Sequence, residues 1–200
     1  MVISAPPPRG GGVAGGSVWA PAESDMPGRD GRRSFQGGWF WRAGEDAAVF
    51  PAEHLLERYY RSVGRNSNLL LGMVVDDRGL VPDADVRALE GLGALVRRRF
   101  PPGAPAAAGR GADMEFALRG PMAIDHIISM EDIAHGERVR RCVVEGRTPD
   151  GAWRELCAGS SVEHRRIERL ARALTMDAVR WRCMESAGEP VLRRFAAFAG

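Results

Sequence analysis

The sequence contains no lysine: all 28 basic side chains are arginines, set against 26 aspartates and glutamates for a net charge of +2. The arginines are scattered rather than gathered on one segment, so there is no basic stripe of the kind that tracks a phosphate backbone. A near-balanced charge gives no strong phosphate affinity, and no nucleic-acid partner is expected. Cysteine is equally scarce. Cys142, Cys157 and Cys183 are odd in number and show no C-x-x-C spacing, which argues against a disulfide framework or a zinc site. They read as small buried apolar residues. The four histidines, His54, His126, His135 and His164, form no H-E-x-x-H motif and no i, i+4 pair. Neither a metal nor a cofactor is expected. No apolar run approaches the ~18 residues that span a bilayer, so no membrane partner is expected either. The opening MVISAPPPRGGGVAGG has neither the basic nor the continuous apolar region of a signal peptide. Its proline and glycine density predicts flexible, unpacked chain over residues 1–16.

What is present fits a soluble globular chain, with 44% hydrophobic and 27% charged residues. Two hundred residues suffice for one ordinary domain or two small ones. Residues 17–46 are irregular but rich in aromatics, with Trp19, Phe35, Trp39, Phe40 and Trp41. Disordered linkers are poor in tryptophan, so this segment reads as a functional loop region. From Pro51 the spacing of Leu55, Leu56, Tyr59, Tyr60 and Val63 marks one face of a helix that ends at Gly64. Residues 68–75 form a continuous apolar run, expected to be a strand buried on both faces. A turn at Asp76–Gly79 follows, and Pro82 and Asp83 open a second helix with Val86, Leu89, Leu92, Leu95 and Val96 on its buried side. Helix, buried strand and helix make an α/β unit. Residues 101–112 read as a Pro/Ala/Gly linker between domains 17–100 and 113–200. Beyond it come seven candidate strands, at 113–118, 122–130, 137–146, 152–157, 162–167, 176–184 and 191–198, with a strong turn signal at Thr148–Gly151. That pattern predicts a β-sandwich. The expected fold class is α/β followed by all-β.

The residues then become specific. Trp19-Ala-Pro-Ala-Glu-Ser-Asp25, Gly38-Trp-Phe-Trp41, Glu45-Asp46, Tyr59-Tyr-Arg-Ser-Val-Gly-Arg-Asn-Ser-Asn-Leu-Leu-Leu71 and Asp77-Arg-Gly-Leu80 occur in that order. They are followed by Ile127–Val139, Gly151-Ala-Trp-Arg-Glu-Leu156 and Val179-Arg-Trp-Arg182. Together they resemble the C-terminal part of bacterial α-L-fucosidases of glycoside hydrolase family 29. The resemblance implies the last βα units of a (β/α) barrel followed by a galactose-binding-like β-sandwich. It also implies retaining hydrolysis of terminal α-L-fucosyl linkages, with a fucosylated glycan or fucoside as partner once the full barrel is present. Retention requires two carboxyl groups ~5 Å apart. The family's nucleophile is an aspartate in a W-F-D-G-like motif, and this sequence has no such motif.

Within this resemblance Glu23 is the candidate acid/base, expected in a loop after a late barrel strand at the catalytic face. The competing reading is a loop carboxylate that caps a backbone N–H. Trp39 and Trp41 are candidates to stack on the apolar face of fucose, on one side of an extended segment, against ordinary core packing. Trp153 and Trp181 sit at alternating strand positions and read as core, and Glu131-Asp132 as a loop of the accessory sandwich. The expected function is that of a C-terminal fragment of an α-L-fucosidase, inactive alone because the nucleophile strand is absent. The alternatives are an accessory carbohydrate-binding β-sandwich without catalysis, or a product with no activity.

Overall fold

Leu55, Leu56 and Tyr60 lie on one face of the first helix and are all buried, Leu55 to 1% exposure, and around that face the first half of the chain is organised. The computed structural model describes residues 22–199, with His135 described by its backbone alone. The flexible start expected over 1–16, and Trp19, lie outside the described residues. The chain divides into two compact units, Met1–Arg98 and Arg99–Gly200.

In the first unit strands β1 (Ala22–Pro27) and β2 (Ser67–Gly72) run parallel, in register from Ala22↔Ser67 to Pro27↔Gly72. Parallel neighbours need a crossover. Helix α1 (Ala52–Arg61) supplies it, entered through Pro51 and closed where the Gly64 amide donates to the Tyr59 carbonyl. A buried hydroxyl pair, Ser24 Oγ to Ser67 Oγ at 2.7 Å, ties the strands together. The Asp76–Gly79 turn forms as its residues dictate: Asp76 Oδ1 accepts from the Arg78 and Leu80 amides, and Gly79 takes φ +78°. Helix α2 (Asp83–Arg99) follows.

The apolar run at 68–75 differs from expectation. β2 stops at Gly72, and Leu70 and Val75 are each 57% exposed. On α2, Val86 is 37% exposed, and Asp85 is the residue that is buried. The reason is topological: among the described residues β2 has a single strand partner, and a parallel strand needs neighbours on both edges and cover on both faces to bury such a run. Two parallel strands do not close a barrel.

The second unit is one antiparallel sheet of six strands: β3 (Ala106–Arg110), β4 (Asp113–Glu131), β5 (Val139–Arg147), β6 (Trp153–Gly159), β7 (Arg166–Ser186) and β8 (Val191–Phe198). The spatial order is β3-β8-β4-β7-β5-β6. Segments 113–118 and 122–130 are halves of one long strand whose register shifts between Ala117 and Met122. The first half of β4 pairs with the second half of β7, and the second half of β4 with the start of β7 and with β8. β4 and β7 thus serve both halves of a sandwich-like sheet. Met114, Leu118, Val144 and Trp181 from one half meet Ile127, Leu192, Phe195 and Ala197 from the other in one core. The turn at Thr148–Gly151 joins β5 to β6, closed by Thr148 N–H to Ala152 O and by Gly151 at φ +88°.

Residues 106–110, expected within a linker, instead form β3 and pair with β8 from Ala106↔Ala196 to Arg110↔Val191. Ladder bonds are made by backbone, so a side-chain-poor segment suffices at a sheet edge beside a well-buried partner. No helix among the described residues is long and apolar enough to cross a membrane.

Candidate functional site

The carboxyl ends of β1 and β2 lie side by side: Gly28 N–H donates to Gly72 O at 3.0 Å, and Phe50 N–H to Gly28 O at 3.0 Å. Between those two contacts the chain makes an excursion over residues 29–49. In parallel α/β architectures, ligands bind beyond the carboxyl ends of the strands.

Two glycines shape this excursion. Gly38 is buried at φ +86°, and a Cβ there would lie 2.8 Å from the Arg29 carbonyl oxygen. A Cβ on Gly72 would fall 2.5 Å from Trp39 Cζ3, so the indole of Trp39 fills the space that a side chain at the end of β2 would need. Trp39 is half-buried there. Trp41, also half-buried, lines an open cleft of about 280 Å³ with Asp46, Asp76, Asp77, Arg78 and Asp83. The cleft sets one aromatic ring beside convergent polar groups.

The excursion is anchored by an ion pair. Arg29 is 0% exposed and Asp85, at the start of α2, is 4% exposed. Arg29 donates from Nε to Asp85 Oδ1 at 3.2 Å and from Nη2 to Oδ2 at 2.5 Å, a bidentate arrangement. Its Nη1 donates to Glu45 O at 3.3 Å. Glu45 in turn accepts from Phe35 N–H at 2.8 Å through Oε2. The loop bearing Trp39 and Trp41 is therefore fixed to the start of α2 through Arg29. The sequence carries a signal for this pair. Asp85, Leu89, Leu92 and Val96 continue one helical stripe at i, i+4, i+7 and i+11, so Asp85 occupies an apolar-face position that only a buried partner could satisfy.

Glu23 is placed differently from expectation. It lies not in a loop but within β1, opposite Asn68, exposed and near the amino-terminal end of the strand. Strand pairing carries it to the end of β1 away from Gly28 and the cleft. Asp25 also lies in β1. Trp39 and Trp41 are not on one side of an extended segment: Trp39 has helical backbone (φ −87°, ψ −17°) closing a 3-10 turn at Phe35–Gly38, with Phe40 62% exposed between them. Positive φ at Gln36, Gly37 and Gly38 makes this turn.

Of the cleft carboxylates, Asp76 is committed. Arg78 bonds it at 2.7 and 2.9 Å, and that bond, with the Leu80 amide, holds its carboxyl below the usual aspartate range. A general acid of a glycosidase needs the opposite displacement.

In the second unit Glu131 is 1% exposed and saturated by backbone donors: Oε1 accepts from the Arg138 and Val139 amides at 2.8 and 3.1 Å, and Oε2 from the Glu163 amide at 2.7 Å. Asp132 accepts from Ala134 N–H at the following 3-10 turn. Both serve loop structure. Trp181 is fully buried core. Trp153 is half-buried, with the Arg180 guanidinium 4.3 Å over its ring.

No family model matches the chain. It is 41% identical over 75 residues to α-L-fucosidase 1 of Arabidopsis thaliana, a stretch that is 38% of this chain and 13% of the plant protein. It is 27% identical over 187 residues to a protein of Oryza sativa subsp. japonica described as a putative α-L-fucosidase 1, covering 76% of this chain and 34% of that one. Among solved structures, a protein from Bacteroides thetaiotaomicron described as a putative α-L-fucosidase superposes with a TM-score of 0.88 at 31% identity, over 94% of this chain and 42% of that one. A GH29 fucosidase of Ruminococcus gnavus, solved in complex with fucose, shares the fold over 92% of this chain and 42% of its own, with a TM-score of 0.75 at 20% identity. The chain spans about a third or less of the length of the curated relatives it matches. Its homologues are α-L-fucosidases, and its structural neighbours include members of glycoside hydrolase family 29.

Proposed function

We propose that this chain forms the C-terminal part of a retaining α-L-fucosidase. In this reading β1-α1-β2-α2 are the last units of the catalytic (β/α) barrel, and the antiparallel unit is its galactose-binding-like sandwich. The observation that carries the reading is the position of the Trp39–Trp41 loop, folded over the carboxyl end of β2 where a barrel enzyme holds its substrate. Leu70, exposed on β2, is what a strand shows when its further neighbours lie elsewhere in a barrel. Trp39 and Trp41 then line the fucose subsite, and a fucoside or fucosylated glycan is the substrate.

Several of the chain's carboxylates are held in structural roles that take them out of the chemistry. Asp85 is engaged with Arg29, Asp76 with Arg78, and Glu131 with three amides. Glu23 lies at the opposite end of β1, a location that does not support a proton-transfer role. The nucleophile is assigned to a strand outside this sequence, so the chain by itself is inactive. The test is release of 4-nitrophenol from 4-nitrophenyl α-L-fucoside by the purified chain. No turnover from a folded sample is expected; steady turnover abolished by Glu23→Gln would reinstate Glu23 and sink the reading.

A further inference from the structure

The three cysteines behave differently once placed in the sheet. β5 and β7 are antiparallel neighbours, and Cys142 and Cys183 stand directly opposite one another in their register. Both contribute to the same side of the sheet: Cys142 belongs to the core, 3% exposed, and Cys183 packs against that core. The Cys183 amide donates to Ala112 O at 2.7 Å, next to the Asp113↔Arg182 pair of β4 with β7. It therefore points toward β4 and away from β5, which makes Cys142 and Cys183 a non-hydrogen-bonded pair. Such pairs bring Cα atoms to about 4.5 Å, with side chains at their closest. Disulfides accept Cα separations of about 4.4–6.8 Å. A register irregularity between Arg141 and Cys142 adds local twist at the same point.

Cys157 makes the contrast. It stands opposite Val144, whereas Cys142 stands opposite Gly159. Cys157 is thus a diagonal neighbour of Cys142, at about 7–8 Å, beyond direct bonding.

We propose that Cys142 and Cys183 form a redox-modifiable pair, converted by a disulfide oxidant into a cross-strand disulfide that staples β5 to β7. The half-buried Cys183 reacts first. Its thiolate attacks the oxidant RSSR, forming Cys183–S–SR and releasing one RS⁻. Cys142, turned toward it from the opposite strand, loses its proton to solvent and attacks the Cys183 sulfur, expelling the second RS⁻. Two protein thiols are oxidised and one small disulfide is reduced to two thiols. Burial pushes the Cys142 thiol up to about 11, so the second step is the slow one and speeds up with pH. In the reduced chain the Cys183 thiol donates to the Glu185 carbonyl at 3.2 Å, a contact that closure of the link gives up.

The experiment incubates the full chain with oxidised glutathione, quenches with acid and maps the peptides by mass spectrometry, alongside a free-thiol titration under denaturing conditions. The expected result is a Cys142–Cys183 cross-linked peptide and a thiol count falling from three to one, restored by dithiothreitol. Cys157→Ser still forms the link and Cys183→Ser does not. Three free thiols, a link through Cys157, or mixed disulfides that never resolve would each overturn the proposal. The wild-type and Cys157→Ser maps decide it even if Cys183→Ser fails to fold.

Discussion

Replacing Asp85 with alanine removes both carboxylate oxygens from a guanidinium that has no access to water. Arg29 would keep the Glu45 carbonyl at 3.3 Å and a distant Asp46 at 3.9 Å, whose side chain is 66% exposed and screened. Breaking a buried pair by removing one partner costs about 3–5 kcal/mol, because the surviving charge is left uncompensated. For a unit of this size each kcal/mol moves the melting temperature by about 4–8 °C, so a fall of at least about 12 °C is expected in the transition of the first unit. Removing both charges together, in Arg29→Leu with Asp85→Leu, costs much less, since an apolar pair of similar volume leaves nothing unpaired. Scanning calorimetry on the wild type, Arg29→Leu, Asp85→Leu and the double variant forms a thermodynamic cycle, with Asp85→Ala measured beside it. The reasoning fails if Asp85→Ala melts within about 3 °C of wild type, or if the double variant is as damaged as the two single ones summed.

Gly72→Ala drives a methyl into the Trp39 ring; a loss of about 1–3 kcal/mol is expected, with a shift in tryptophan emission as the indole moves. Glu131→Ala strands three buried amide donors and should lower stability by about 3 kcal/mol or more, read from urea midpoints at constant slope. Glu163 has its carboxyl raised above the ordinary 4.5, first by burial and then by Glu137. The folded state thus holds this proton more tightly than the unfolded state, and the group costs stability as pH rises through the window between 4.5 and its raised value. Glu163→Gln should therefore melt higher than wild type at pH 7, with the gain vanishing below pH 4.5; a pH-independent difference would refute the assignment.

Much of this architecture is legible in the residues because local rules and the tertiary fold agree there. The 55, 56, 59, 60 spacing gives α1, the Thr148–Gly151 turn gives the β5–β6 hairpin, and the alternation at Val179 and Trp181 gives an inward strand face. β3 was hidden because Ala and Gly carry no strand signal, and its pairing is decided by β8. Strands 113–118 and 122–130 looked separate because Arg119-Gly120-Pro121 reads as a turn, yet the sheet absorbs it as an irregularity. At the candidate site, Trp39 and Trp41 were visible as aromatics in a loop, but their backbone was not, since left-handed residues at 36–38 replace the extended run. Arg29 was masked by being one arginine among 28. Glu23 looked catalytic on motif order alone, which says nothing about which end of a strand a residue occupies.

A chimera tests the central claim most directly. The segment of the Bacteroides thetaiotaomicron α-L-fucosidase homologue that superposes on this chain is replaced by this chain, and kcat/KM is measured on 4-nitrophenyl α-L-fucoside with and without Trp39→Ala. The account predicts a working fucosidase that loses at least about tenfold in kcat/KM when the Trp39 ring is removed, about 1.4 kcal/mol of transition-state binding. A chimera that melts cooperatively yet hydrolyses nothing, or one indifferent to Trp39→Ala, would contradict it.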